Sequence, residues 1–478
     1  MEGKLFKVLV GNKIIDDFND VLNIVSPINN QIIGSIPRLK TKDQIDEVFH
    51  HAKNSFYRYR ETSFASRKEK LLKFSILLKE NWDEISNLMV WEIAKSKRSS
   101  IEEIDRTVEY IRETISEYEK IMNNPLIIDE SIHNIKGKTG YFTYEPLGVV
   151  LAISPFNYPL NLLISKLAPA LISGNTVVYK PSTQGSCLGA YISILLCKAG
   201  FTNGEVSCVI GKGSEIGDYI IENKNIDMIS FTGSTKIGKK IAEKNPFIPV
   251  ILELGGKDAA IVLKDADLKE TAKRIVAGSF SYNGQRCTGI KRVLVDQKIK
   301  DELVEHIDQE ISKLTVGSAA LGNYDITEMI DDNSIKYNLN LLLDAYKNNA
   351  KTNQEIKKKN NILYPIALYN VNLNCRIAWE EQFGPVLPII SYHNIEEAID
   401  IHNKSEYGLQ ASIFTKDIDS AKRISKYLEV GTVNINRAPS RGPDVFPFGG
   451  VKNSAKGLQG IKYAIISMNK LKGVIEND

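Results

Sequence analysis

No stretch of the 478-residue chain holds about 18 consecutive apolar residues, which argues against a membrane-spanning helix. Cysteine is scarce, at five residues (Cys187, Cys197, Cys208, Cys287 and Cys375) with no C-x-x-C pair, and there are only six histidines. Those counts disfavour a disulfide framework and a structural zinc site, and no metal is expected. An excess of one charge is missing too. The 61 basic and 58 acidic residues leave +3 with no long basic block, so nucleic acid is not the expected partner. The first residues, M-E-G-K-L-F-K-V-L-V-G-N, lack the apolar core and small-residue cleavage site of a secretory signal, and a cytoplasmic chain is expected. Internal repeats and low-complexity segments are absent as well.

What remains is an ordinary globular composition, 43% apolar and 25% charged, in a chain long enough for about three domain-sized units. Thr41 and Gln44 form a capping box, and Ile45, Val48, Phe49, Ala52 and Phe56 then share one helical face. Amphipathic stretches follow over about 66–97 and 100–122. The segment 133–147 alternates and breaks as an exposed hairpin does. From Gly148 the pattern changes. Apolar runs near 148–153, 175–179, 205–210, 227–231 and 248–254 alternate with helical segments near 159–173, 185–199, 213–223 and 234–244. Gly174 and Gly200 sit where helices should end. Such alternation predicts a doubly wound parallel sheet. Mixed α/β character continues over 255–435, with a polar loop near 351–361 that takes in the lysines at 357–359, and the tail at 455–478 has modest β character.

Three single residues then stand out. Cys287 lies in N-G-Q-R-C-T-G, Glu253 lies in L-E-L-G-G-K 34 positions before it, and Asn157 lies in S-P-F-N-Y-P-L. Alone, each has a bland explanation: a buried thiol, a paired strand-end carboxylate, a loop amide. Together they supply a nucleophile, a base and an oxyanion donor, as covalent oxidation of an aldehyde requires. The turn S-F-T-G-S-T-K-I-G at 230–238 offers Gly233, Ser234 and Gly238 where a strand enters a helix, a usual seat for phosphate, although it is not a G-x-G-x-x-G fingerprint.

The order and context of these motifs resemble the aldehyde dehydrogenase superfamily along essentially the whole chain. That resemblance implies an α/β fold with a dinucleotide-binding domain (1–128 and 148–253), a catalytic domain (254–435) and bridging segments for oligomerisation (129–147 and 455–478), with a homotetramer expected. It also implies roles. Cys287 would form a thioester, Asn157 would hold the oxyanion, and Glu253 would activate water for hydrolysis. Lys180 matches the lysine at the adenosine ribose, and Glu381 and Phe383 match residues at the nicotinamide end. Thr183 stands where many NAD-using members carry a glutamate. Loss of that carboxylate removes its repulsion of a 2′-phosphate, so NADP is the expected cofactor, with NAD possible. The segments K-P-S-T-Q-G-S (180–186), G-K-G-S-E-I-G-D-Y (211–219), G-Q-R-C-T-G-I-K-R (284–292) and R-G-P-D-V-F-P-F (441–448) look like the non-phosphorylating glyceraldehyde-3-phosphate dehydrogenases. In that branch Arg106, Arg286 and Arg441 match the positions that bind the substrate phosphate, and Tyr158, a further substrate residue, follows the oxyanion asparagine as it does there. Succinic semialdehyde and lactaldehyde stand as alternative substrates. A non-catalytic binding protein is the alternative class, and the intact Cys287, Glu253 and Asn157 set argues against it. The presence of Glu253 likewise favours hydrolysis over transfer of the acyl group to CoA.

Overall fold

The computed structural model describes residues 3–129, 131 and 136–477. Four helices come early: α1 (Lys42–Tyr59), α2 (Phe64–Glu80), α3 (Trp82–Ile93) and α4 (Lys97–Met122). Both halves of the Thr41–Gln44 capping box form at the start of α1, and all five of its expected apolar residues are buried. The stretch expected over 66–97 is two helices, because Asn81 ends one and begins the next, its side chain donating to the Leu77 carbonyl at 2.8 Å.

The central sheet is built from β1 (Val149–Ile153), β2 (Thr176–Lys180), β3 (Val206–Cys208), β4 (Met228–Thr232) and β5 (Val250–Glu253). Between them run α5 (Asn161–Ser173), α6 (Ser186–Ala199), α7 (Gly213–Ile221) and α8 (Thr235–Lys244). The strands lie in the order β3-β2-β1-β4-β5 and are all parallel. Each strand is apolar on both faces because helices cover both. Val150, Ala152, Val177 and Tyr179 pack towards α4, α5 and α6, while Val149, Leu151, Val178 and Ile229 pack towards α1, α7 and α8. Gly174 and Gly200 end α5 and α6 at φ of 93° and 107°, the left-handed conformation glycine tolerates best.

A second parallel sheet follows, built from β6 (Ala259–Val262), β7 (Arg292–Asp296), β8 (Ile366–Leu368), β9 (Val386–Tyr392), β10 (Gln410–Phe414) and β11 (Thr432–Ile435). Its order is β8-β9-β7-β6-β10-β11. The helix α9 (Leu268–Phe280) leads from β6 into a tight turn at Ser281–Gly284.

Leu126–Ile128 pairs with Lys138–Pro146, which also pairs with Asn469–Asn477. Residues 133–135 of the expected hairpin, and 130 and 132 of the bridging segment before it, lie outside the described residues. The tail is not one β segment: Ala455–Lys456 pair antiparallel with β5, and Ile461–Ser467 is a helix whose Ile461 and Ile465 enter the central core. Its apolar residues recur at helical spacing within a run too short to stand out. Lastly, Lys358–Lys359 form a short strand against Ile362–Leu363, because Asn360 takes a left-handed turn between them.

Gly238 shows how tightly α8 must sit on β5: a Cβ there would lie 2.3 Å from Leu254 Cδ2. Gly238→Ala is therefore expected to destabilise the protein by about 1–3 kcal/mol through overpacking, read as a lower unfolding midpoint. An unchanged midpoint would show that α8 moves freely away from β5.

Candidate active site

Strand ends bring the site together. Thr232 ends β4 and Glu253 ends β5, and the two are register partners; Lys180 ends β2 opposite Ile153, the last residue of β1. In parallel sheets with helices on both faces, this carboxyl edge is where ligands bind. A cleft of about 460 Å³ opens there, lined by Asn157, Lys180, Gly233, Ser234, Cys287, Glu381 and Phe383 among others. A second cavity of about 650 Å³ shares Ile153, Lys180, Phe231 and Ser234 with it and continues between α7 and α8.

These adjoining cavities fit a dinucleotide. Lys180 is buried, has no carboxylate partner among the described residues, and donates only to the neighbouring Pro181 carbonyl at 3.1 Å. Burial depresses its ammonium to about 8. An anionic ligand would satisfy such a group. Ser234, which lines the cleft, caps α8 without using its own hydroxyl on the helix, so that hydroxyl stays available to a ligand there. Phe383 holds a positive φ of 42° and meets Phe156 edge-on at 6.0 Å between ring centres, beside Glu381. Glu381 accepts from the Gly256 N–H at 3.2 Å. Gly238 lines neither cavity; its part is the helix packing already described.

Thr183 lies at the bend where the chain enters α6, at the edge of a depression lined also by residues 25–30 and 330–332. Ser182, which sequence reasoning passed over, lines the cleft beside Lys180.

Cys287 follows a turn with two successive left-handed residues, Tyr282 (φ 50°) and Asn283 (φ 56°). The Asn283 side chain holds that turn by bonding Thr327 and Glu328 backbone groups at 2.8–3.0 Å. The Cys287 thiol is pushed up to about 11, first by burial and then by the Glu253 carboxylate, with Arg441 opposing. Among the described residues its backbone N–H has no acceptor. Asn157 donates one side-chain N–H to the Gln285 carbonyl at 2.9 Å, and the other has no acceptor among the described residues. Two residues missed in the sequence fix Asn157 and Tyr158. Glu103 accepts from the Leu160 and Asn161 N–H groups at 3.0 and 2.8 Å, while its partner Lys95 donates to the Asn157 carbonyl at 3.2 Å and lies 3.7 Å from the Tyr158 ring centre. A buried lysine–glutamate pair eight residues apart looks like surface charge in a sequence.

Glu253 is buried but not alone. One nitrogen of Arg441, Nη1, reaches both of its oxygens at 2.8 and 2.7 Å. Thr232 Oγ1 donates to the same carboxylate at 3.0 Å and accepts from the buried Lys166 at 2.7 Å. Burial lowers the Lys166 ammonium to about 8. Arg106 pairs with Asp444 at 2.7 and 2.8 Å, and Asp444 lies 3.9 Å from Arg441 Nε. Arg106, Asp444, Arg441 and Glu253 thus form one charged row. Tyr158 packs edge-on to Tyr282. Arg286 does not join the row; its guanidinium donates to Ser281 Oγ, and it makes no ion pair among the described residues.

Residues 15–474 match the aldehyde dehydrogenase family. The chain belongs to that family. It is 44% identical over 454 residues to an NADP-dependent glyceraldehyde-3-phosphate dehydrogenase of Streptococcus equinus, covering 95% of both chains. A lactaldehyde dehydrogenase of Methanococcus aeolicus is 33% identical, covering 95% of this chain and 97% of its own. The crystal structure of an NADP-dependent glyceraldehyde-3-phosphate dehydrogenase from Bacillus halodurans C-125, complexed with NADP, superposes with a TM-score of 0.95 at 44% identity, covering 100% of this chain and 99% of the other. No helix among the described residues is long and apolar enough to cross a membrane, and no group of three potential metal ligands occurs among them.

The raised thiol gives a direct check. Alkylation of Cys287 by iodoacetamide, followed on its own peptide by mass spectrometry, is expected to quicken about tenfold per pH unit from neutrality until the thiol ionises near 11. Glu253→Gln removes the neighbouring negative charge and should bring that limit to lower pH. A rate that is flat from neutrality upward would mean that the thiol is already ionised.

Proposed function

We propose that the protein oxidises D-glyceraldehyde 3-phosphate to 3-phosphoglycerate with NADP and without inorganic phosphate. The observation that carries this reading is the row of Arg106 and Arg441 ending on Glu253 beside the Cys287 cleft, an unusual wealth of guanidinium for a site that handles a neutral aldehyde. Planar guanidinium groups suit a phosphate. The glyceraldehyde-3-phosphate dehydrogenases at 42–44% identity support it.

In this reading the Cys287 thiol gives up its proton to solvent, the sulfur bonds to the aldehyde carbon, and the carbonyl electron pair moves onto oxygen. The Asn157 amide and the Cys287 N–H stabilise the resulting oxyanion. NADP, when bound, supplies the hydride acceptor, with Lys180, Thr183, Ser234 and the first turn of α8 holding its phosphate and ribose groups, Ser182 beside them, and Glu381 and Phe383 at the nicotinamide end. The thioester left on Cys287 is then hydrolysed, Glu253 taking the proton of the attacking water. Arg106 and Arg441 hold the substrate phosphate, Tyr158 lines the path, and Arg286 joins them by turning away from Ser281. NAD serves as the weaker cofactor. The domain division is 1–128 and 148–253 for the dinucleotide and 254–435 for catalysis. The exposed apolar residues Leu126, Ile127, Leu471, Val474 and Ile475 on the three-stranded edge sheet support subunit pairing in a cytoplasmic homotetramer. Lactaldehyde oxidation is the second reading, favoured by the Methanococcus aeolicus relative.

NADPH formation from D-glyceraldehyde 3-phosphate, with neither phosphate nor CoA present, should far exceed that from lactaldehyde or succinic semialdehyde; a preference for either of those overturns the substrate. Cys287→Ser should abolish turnover. Glu253→Ala should give one equivalent of NADPH and then turn over on the order of a hundredfold or more slower than the native enzyme. Lys180 loses its charge above about 8, so the NADP-to-NAD ratio of kcat/KM should fall as pH rises through that value. A ratio independent of pH would remove Lys180 from 2′-phosphate binding.

A further inference from the structure

The Arg441–Glu253 contact poses a conflict within the proposed reaction. Glu253 must accept a proton from water, yet both its oxygens face Arg441 Nη1, and Oε2 also receives the Thr232 hydroxyl. Arg441 must bind phosphate, yet all three of its nitrogens face partners: Nη1 the Glu253 carboxylate, Nη2 the Gln459 side chain and Nε the Asp444 carboxylate. The pair is shielded, with side-chain exposures of 5% for Glu253 and 11% for Arg441, so solvent does not readily loosen it.

Charge and geometry say which contact yields. The row holds two carboxylates against two guanidinium groups and is balanced before substrate arrives. A phosphate dianion entering beside Arg106, the more open arginine at 34% exposure, unbalances it and competes with the carboxylates for the same donors. The Glu253 contact is the weaker rival, because one nitrogen is split between two oxygens. A phosphate can instead take two parallel N–H groups, the stronger arrangement.

Resting on the reading of this chain as a phosphorylated-aldehyde dehydrogenase, we infer that Arg441 is a phosphate-operated latch on Glu253. Without a phosphate, Arg441 holds the carboxylate and hydrolysis of the thioester is slow. When the substrate phosphate draws Arg441 away, Glu253 is released. Water then attacks the acyl carbon, the new C–O bond forms, the C–S bond to Cys287 breaks, and the water proton passes to Glu253 and on to solvent. Thioester plus water become carboxylate, free thiol and a proton, with no change of oxidation state. Selectivity for the phosphorylated aldehyde thus lies in deacylation as well as in binding.

The test uses unphosphorylated D-glyceraldehyde with NADP and the intact enzyme in a stopped-flow instrument. The native protein should release about one equivalent of NADPH quickly and then turn over slowly. Phosphite dianion, added as a separate piece, should raise the slow phase on the order of tenfold while leaving the burst unchanged. Arg441→Gln should raise that slow phase without phosphite, lose the response to phosphite, and increase KM for D-glyceraldehyde 3-phosphate. A plain phosphate anchor predicts the last effect alone. The latch is overturned if native enzyme shows no burst, or if phosphite leaves its slow phase unchanged, and neither outcome depends on a variant folding. It also falls if folded Arg441→Gln enzyme hydrolyses the glyceraldehyde thioester no faster than native. If D-glyceraldehyde 3-phosphate itself is not oxidised, the substrate reading falls and takes the latch with it; oxidation of that substrate with no phosphite effect removes the latch only.

Discussion

The parallel register of the central sheet is the constraint on which the site depends. Because β4 and β5 run side by side with Thr232 opposite Glu253, a hydroxyl and a carboxylate end at one level, 3.0 Å apart. Because β1 and β2 end together, Lys180 reaches the same edge. Helices on both faces make every strand apolar, and the polar residues that remain gather where the strands stop. Gly238 is part of that constraint, since α8 can bring its N-terminus to the cleft only by lying almost directly on Leu254.

The second sheet supplies what the first lacks. Its helix α9 runs into the two left-handed residues that present Cys287, and Asn283 ties that turn to the backbone of Thr327 and Glu328. The thiol therefore sits where the first sheet's strand ends converge, in surroundings that favour its neutral form. A buried thiol and a carboxylate already clasped by Arg441 describe a site whose reactive groups are restrained before substrate arrives. Such restraint is consistent with a chemistry that must not hydrolyse or alkylate at random.

Much of this was legible in the residues. The strand–helix alternation from Gly148, the capping box at Thr41 and the helix ends at Gly174 and Gly200 follow from local patterns, whereas the grouping of Cys287 with Asn157, which line one cleft, came from the resemblance to a family. Local patterns say less where a bend intervenes: the turn into α6 begins at Thr183, three residues after Lys180, and Ser182 lines the cleft between them. The helix at Ile461–Ser467 escaped notice because its few apolar residues find their partners in α4 and α5, more than 280 positions earlier.

The sequence by itself determined the doubly wound α/β class of the fold, because periodicity acts over a few residues, and it proposed the chemical cast of the site through its resemblance to a family. Only the tertiary structure decided how that cast is paired. Whether Arg441 meets Glu253, Arg106 meets Asp444 or Arg286 turns to Ser281 depends on which charges are buried together. Burial is a property of the whole packed chain: a buried charge takes whichever partner the surrounding elements bring within reach, at any distance along the sequence.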